Sequence, residues 1–231
     1  MIKAFKFNSR FIKKEEIGKD IFSFFFEKPA GFKYKPGQYV RVTLDLKNPD
    51  SRGSSRYFTL SSNPKEEHLV ITTKIVKSSF KKELSNFKVD QTVKMFGPIG
   101  YFDFDEKKNQ DSLFLSGGMG ITPFRSILFS TKNKITLIAS FDKSENAIYF
   151  HELNKRKNDK QRIIFTLTKE NREGYEKGRI SKEMIEKYAK DFKKNKIFIV
   201  GPEVMVSEIY ETVKLMGAKE ENIFKEDFTG Y

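Results

Sequence analysis

The chain has 231 residues, 38% of them hydrophobic with 24 phenylalanines, and carries 44 Lys and Arg against 31 Asp and Glu, a net charge of +13. That length accommodates two modest domains with real cores. The absence of cysteine excludes disulfides, thiolate catalysis, Cys-ligated zinc and a Cys-ligated iron–sulfur cluster on these residues, leaving redox chemistry to an organic cofactor.

Most of the excess charge lies in the first half: residues 1–108 carry 22 Lys and Arg against 13 acidic residues, and residues 109–231 carry 22 against 18. A basic surface attracts acidic proteins, nucleic acid or anionic lipid. Nearly all of the excess is lysine, so compositional bias explains it as well as docking does. No basic run interleaved with aromatics marks a nucleic-acid surface, and none is expected. His68 and His151 have no partner at metal-ligand spacing, so no metal site is expected either. No charged start followed by a long apolar run is present; neither a secretory signal nor a membrane span is expected, and the predicted location is cytoplasmic.

From Lys3 to about Phe104 the chain reads as short strands broken by turn signals: Phe5 to Glu15, Ile21 to Glu27, Tyr39 to Leu46, Arg56 to Leu60, His68 to Ile75 and Gln91 to Phe96. Many short strands with Gly and Pro between them predict an antiparallel β-barrel or sandwich. One helix interrupts them, Ser79 to Phe87, with Phe80, Leu84 and Phe87 at helical spacing and Ser78 or Ser79 as its cap. Within the fourth strand, Arg56, Phe58 and Leu60 share one face and Tyr57, Thr59 and Ser61 the other, unless the strand bulges. A guanidinium fork suits a diphosphate, an aromatic face a planar ring and a hydroxyl a ring nitrogen; alone, the segment is equally an ordinary strand.

After a polar stretch at Lys107 to Gln110 the pattern alternates. Strands are predicted at Ser112 to Ser116, Ile135 to Phe141, Arg162 to Thr168, Lys196 to Val200 and Asn222 to Phe224. Helices are predicted at Pro123 to Thr131, Ile148 to Lys155, Ser181 to Ala189 and Glu203 to Met216. Alternation implies an α/β domain with a parallel sheet and ligands at the carboxyl ends of its strands. Gly117, Gly118 and Gly120 follow the first such strand and precede Thr122 and Pro123. A glycine turn there lets a phosphate approach the main chain, and Pro123 suits a first helical turn. The two domains are expected at 1–108 and 109–231.

Five blocks in order resemble the ferredoxin-NADP reductase superfamily over nearly the whole chain. They are Pro36-Gly37-Gln38-Tyr39, Arg56-Tyr57-Phe58-Thr59, Gly97-Pro98-Ile99-Gly100-Tyr101-Phe102, Gly117 to Pro123, and Gly201-Pro202-Glu203-Val204-Met205. The resemblance implies a flavin-binding barrel followed by an NAD(P)-binding domain. It implies that Arg56 binds the FAD diphosphate, that Phe58 packs on the isoalloxazine beside Tyr57, and that Thr59 hydrogen-bonds near flavin N5. Thr73, Lys74, Ser78, Ser79, Phe80 and Lys81 complete the implied flavin-binding set; Lys81 stands where Ser or Thr is usual, and FMN remains open. Gly117, Gly118, Gly120, Thr122, Pro123, Gly201 and Pro202 would hold NAD(P)H. Val200 replaces the family's cysteine, Glu226 would supply a proton, and Tyr231 would cover the flavin.

Asp142, at the end of the Ile135 to Phe141 strand, would accept from a free ribose 2′-hydroxyl, whereas Lys143 and Arg179 would favour a 2′-phosphate; NADH is the expected donor. The function implied is hydride transfer from NAD(P)H to FAD, then electron transfer to a separate acceptor such as an acidic electron-transfer protein (ferredoxin or flavodoxin) or an oxygenase component. A quinone or ferric reductase and a catalytically silent binding subunit are the alternatives.

Overall fold

The computed structural model describes residues 2–100, 104 and 111–228. The chain divides into two compact units: one runs to Phe104 and includes Arg125–Ser130, and the other holds the remaining described residues.

In the first unit, β1 (Phe5–Gly18), β2 (Ile21–Glu27), β3 (Tyr39–Thr43), β4 (Ser55–Thr59), β5 (His68–Lys74) and β6 (Thr92–Ile99) form one antiparallel sheet in the order β4-β3-β6-β1-β2-β5. The sheet curls until its edge strands meet at a single bridge, Leu60 to Ile71, so it is barrel-like without a closing ladder. Alternation sorts its residues. On β2, Phe24 and Phe26 are buried and Phe22 packs against them, while Phe25 on the opposite face lies under the Lys13 ammonium. The core also takes Phe11, Val40, Val42, Phe58, Leu60, Ile71, Phe80 and Leu84. Helix α1 (Ser79–Ser85) is seven residues long and is capped by Ser78, whose hydroxyl accepts from the Lys81 N–H.

The second unit carries β7 (Ser112–Gly117), the first turn of α2 (Ile121–Ser130), β8 (Ile135–Phe141), α3 (Phe150–Asn154), β9 (Gln161–Leu167), β10 (Glu176–Lys177), α4 (Lys182–Tyr188), β11 (Lys196–Gly201), α5 (Glu203–Leu215) and β12 (Ile223–Asp227). Its sheet is parallel throughout, in the order β10-β9-β8-β7-β11-β12. All six residues of β7 are buried, as a central parallel strand requires. Because β8 and β9 go to one side of β7 and β11 and β12 to the other, the strand order reverses beside Gly117, where open α/β sheets bind ligands.

Departures from the predicted elements have local causes. Tyr149 has φ +63°, a left-handed residue that delays α3 to Phe150. β12 reaches Asp227 because the β11 ladder supplies hydrogen bonds to the polar run Lys225-Glu226-Asp227, which has no strand signal of its own. β10 is two residues long, too short to leave a periodicity.

The unit-one core depends on its phenylalanines. Phe24→Ala should cost about 3–5 kcal/mol of unfolding free energy, read as a lower denaturant midpoint; Phe25→Ala, on the outer face, should cost much less.

Candidate functional site

A cluster of cations stands out in the first unit and a glycine-rich turn in the second. In the first unit, Arg56 projects on the core side of β4 with its guanidinium over the Phe80 ring at 5.3 Å. Its Nη1 donates to the carbonyls of Arg52, Gly53 and Ser55, and its Nη2 meets the Asp50 carboxylate at 2.6 Å. Ser79 also holds Asp50, donating its hydroxyl to Oδ2 at 3.2 Å and accepting from the Asp50 N–H at 2.9 Å. Lys81 is buried close enough to feel both arginines: burial first, then Arg52 and Arg56, pulls its ammonium down to about 8. Arg52, Arg56 and Lys81 against one carboxylate leave an excess of two positive charges around a small polar seat. Arg52 and Asp50 escaped the sequence reading because Asn48-Pro49-Asp50 carries only a turn signal.

The faces of β4 correct one expectation. Phe58 is 3% exposed, packed 5.8 Å from Phe80 and opposite Val40, so its ring has no free face for an isoalloxazine. The outward ring is Tyr57, 59% exposed and edge-on to Tyr39; Thr59 shares its side, half-buried. Thr73 and Phe80 are likewise core residues, fully buried, and offer no side-chain surface to a ligand. Lys74 is half-buried at the end of β5.

In the second unit the glycines divide into two roles. A Cβ on Gly120 would sit 2.2 Å from the Val200 carbonyl oxygen, and one on Gly117 would sit 2.3 Å from the Met205 sulfur. One on Gly201 would meet Met205 at 2.6 Å and the Gly117 nitrogen at 3.1 Å. These three let the ends of β7 and β11 close on each other. Gly118 differs: its φ is +52° and nothing lies within 4 Å of where a Cβ would be. It is the side-chain-free, open position of the turn. Thr122 donates its hydroxyl to the Met119 carbonyl at 2.9 Å and is 3% exposed, so it braces the turn. Pro123 is buried in the first turn of α2 and Pro202 is exposed ahead of α5.

At the carboxyl end of β8, the Asp142 carboxylate accepts from the Lys143 N–H at 2.9 Å and from Asn146 Nδ2 at 2.6 Å. Arg179 instead faces α5, donating to Glu208 at 3.4 Å. Glu226, half-buried on β12 in register with Val200, has its carboxyl pushed up by burial and then by Asp227. Tyr231 lies outside the described residues.

Residues 8–104 match the oxidoreductase FAD-binding domain and residues 114–211 the oxidoreductase NAD-binding domain. The chain belongs to the oxidoreductases that join an FAD-binding domain to an NAD-binding domain. Flavohemoprotein A of Dictyostelium discoideum is 30% identical over 94% of this chain and 58% of its own length. A glycine betaine monooxygenase reductase subunit of Pseudomonas aeruginosa is 29% identical over 81% of this chain and 54% of its own. The chain thus spans little more than half of these relatives. In fold it is similar to the Amycolatopsis cytochrome P450 reductase GcoB, with TM-score 0.86 at 15% identity over 100% of this chain and 72% of that one. It is similar also to ferredoxin-NADP+ reductase from Plasmodium falciparum, with TM-score 0.79 at 17% identity over 96% of both chains.

The residues present fit the cofactors of those two domains, FAD and NAD. A seat two positive charges in excess suits a diphosphate, and an open left-handed glycine at the switch point suits the backbone approach of a second one. No helix among the described residues is long and apolar enough to cross a membrane.

Three outcomes follow. Arg56→Ala should weaken flavin retention by about 1.5–3 kcal/mol, whereas Lys94→Ala on the outer barrel face should not, as the FAD content of the purified variants will tell. Lys81 carries its proton below pH 8 in the flavin-free protein, and a seated anion raises its pKa. Flavin affinity should therefore be full below pH 8 and fall as the pH rises above it, a dependence that Lys81→Met removes, measured by quenching of flavin fluorescence. Gly120→Ala should lower thermal stability by forcing β7 from β11. Gly118→Ala, with no clash, should cost only about 1–2 kcal/mol of backbone strain and chiefly raise KM for the coenzyme.

Proposed function

We propose that this chain is a reductase module that takes hydride from a reduced nicotinamide coenzyme onto FAD and delivers the electrons singly to a separate redox protein. The observation that carries this reading is the pairing, on one chain, of a cationic seat in an FAD-binding domain with an open glycine turn in an NAD-binding domain. Bound FAD supplies the chemistry that joins a two-electron hydride donor to one-electron acceptors.

Arg56, Arg52 and Lys81 would hold the flavin diphosphate, at the place on Arg56 that the Asp50 carboxylate takes. Tyr57 presents its ring to the cofactor in place of Phe58, and Thr59, on the same side of β4, offers its hydroxyl to flavin N5. Gly118 admits the coenzyme diphosphate to the main chain. Val200 is fully buried and carries no thiol, so hydride transfer rests on positioning of donor and acceptor. The raised carboxyl of Glu226 holds a proton further up the pH scale than an exposed glutamate and serves as its source. The module works in the cytoplasm.

An acidic partner is supported by the outer face of β1, β6 and β3. A shallow cavity of about 480 Å³ there is lined by Lys6, Arg41 and Lys94 with Asn8, Thr43 and Phe96, and by no carboxylate. The guanidinium of Arg41 lies over the Phe96 ring at 5.3 Å.

The test is spectroscopic and kinetic. The protein should be yellow, release FAD on denaturation and bleach on anaerobic addition of NADH; a protein that takes up no flavin would sink the enzyme reading. Reduction of an added acidic ferredoxin or flavodoxin should slow as salt rises and in Lys94→Glu, since such attraction is screened over about 8 Å at physiological ionic strength. Bleaching by NADH should change much less. Turnover confined to quinone or ferric chelates would remove the protein partner.

A further inference from the structure

At the carboxyl ends of β8 and β9 a second anion seat is already filled by the chain itself. The Ser144 N–H donates to Glu170 Oε2 at 2.7 Å, and the Ser144 hydroxyl donates to Glu170 Oε1 at 3.1 Å. Arg172 Nη1 approaches the same hydroxyl oxygen at 2.6 Å. Hydrogen bonds from Ser144 hold the Glu170 carboxyl below the usual glutamate range, with lesser help from the charges of Arg172 and Lys143. It is therefore ionised at neutral pH. A backbone N–H, a hydroxyl, a guanidinium and a lysine are the groups that bind a phosphate monoester. In this chain they surround a carboxylate on a half-buried side chain, supplied from the strand next to the one that holds Asp142.

We infer that Glu170 is the residue that makes this module select NADH, by occupying with its own carboxylate the Ser144–Arg172–Lys143 seat that a 2′-phosphate would need. The inference rests on the proposed reading that the coenzyme lies along the carboxyl ends of this sheet, with its adenosine toward β8. Two physical effects act together. An incoming 2′-phosphate meets a fixed like charge, and it competes with an intramolecular ligand whose effective concentration is on the order of mM or higher. A 2′-hydroxyl suffers neither effect and can donate to the carboxylate. Asp142, the residue that sequence position favours for this task, already accepts from the Lys143 N–H and from Asn146 within its own loop. Arg179 is turned to Glu208 on α5. Discrimination thereby passes to Glu170, 28 residues beyond Asp142, which no fingerprint spacing marks.

The decisive experiment uses flavin-loaded protein and two half-coenzyme probes, 5′-AMP and 2′,5′-ADP, titrated calorimetrically against wild type, Glu170→Gln and Glu170→Gln/Arg172→Ala. Wild type should bind 5′-AMP and bind 2′,5′-ADP no better. Glu170→Gln, which keeps the side-chain shape and removes the charge, should bind 2′,5′-ADP at least about tenfold more tightly with 5′-AMP affinity unchanged. The added Arg172→Ala should take that gain away. The NADPH to NADH ratio of kcat/KM should rise in step in Glu170→Gln. If 5′-AMP binds all three proteins and Glu170→Gln leaves 2′,5′-ADP where it was, or shifts both probes alike, the assignment of Glu170 is overturned while the coenzyme site stands. If wild type binds neither probe, the coenzyme reading itself falls, and this inference falls with it.

Discussion

The close approach of β7 and β11 is the constraint on which the coenzyme unit is built. Gly120 lies so near the Val200 carbonyl that no side chain can stand between them, and Gly117 and Gly201 are closed over by Met205. That contact fixes where the first strand ends, where its helix starts and where the sheet reverses its order, and it leaves Gly118 as the one unobstructed turn residue. A glycine turn often read as a device for phosphate is, at two of its three glycines, a device for packing. Gly118 is what the packing leaves open.

The two anion seats share a second principle. In each, donors arranged for a phosphate are held by a carboxylate of the chain: Asp50 on Arg56 and Ser79 in the barrel unit, Glu170 on Ser144 in the other. A cluster of cations and N–H groups with no anion would be costly to keep together, because like charges repel and buried donors need acceptors. Burial first, and then the charges of Arg52 and Arg56, hold the Lys81 ammonium down to about 8. The seats differ in their partners: Asp50 is held by Arg56 and Ser79, whereas Glu170 is held by the Ser144 N–H and hydroxyl, with Arg172 bonded to that same hydroxyl.

Much of this was legible in the residues. The barrel strands, the switch to alternating helices and strands and both glycine segments carry strong local signals: alternation of period two, turn residues at Pro36-Gly37 and Asn63-Pro64, and continuous apolar runs such as Leu113-Phe114-Leu115. Residue type makes Arg56 and the glycines after β7 compatible with a phosphate, although the Arg56 segment alone reads equally as an ordinary strand. What misled was orientation. The order Arg56-Tyr57-Phe58-Thr59 does not say which ring faces solvent, because a strand's two faces are equivalent until a core covers one of them. Cross-strand pairing of Phe58 with Val40 decides it in favour of Tyr57.

The sequence by itself determined the fold class and the exclusion of thiolate chemistry from these residues, since periodicity, turn chemistry and composition are properties of neighbours along the chain; the cofactors followed from the resemblance of its motifs. Only the tertiary structure decided which carboxylates meet which donors. Asp50 reaches Ser79 across 29 positions and Glu170 reaches Ser144 across 26. Charge-assisted hydrogen bonds act over a few ångströms and are blind to sequence separation, so their partners exist only once the strands and loops that carry them have been brought side by side.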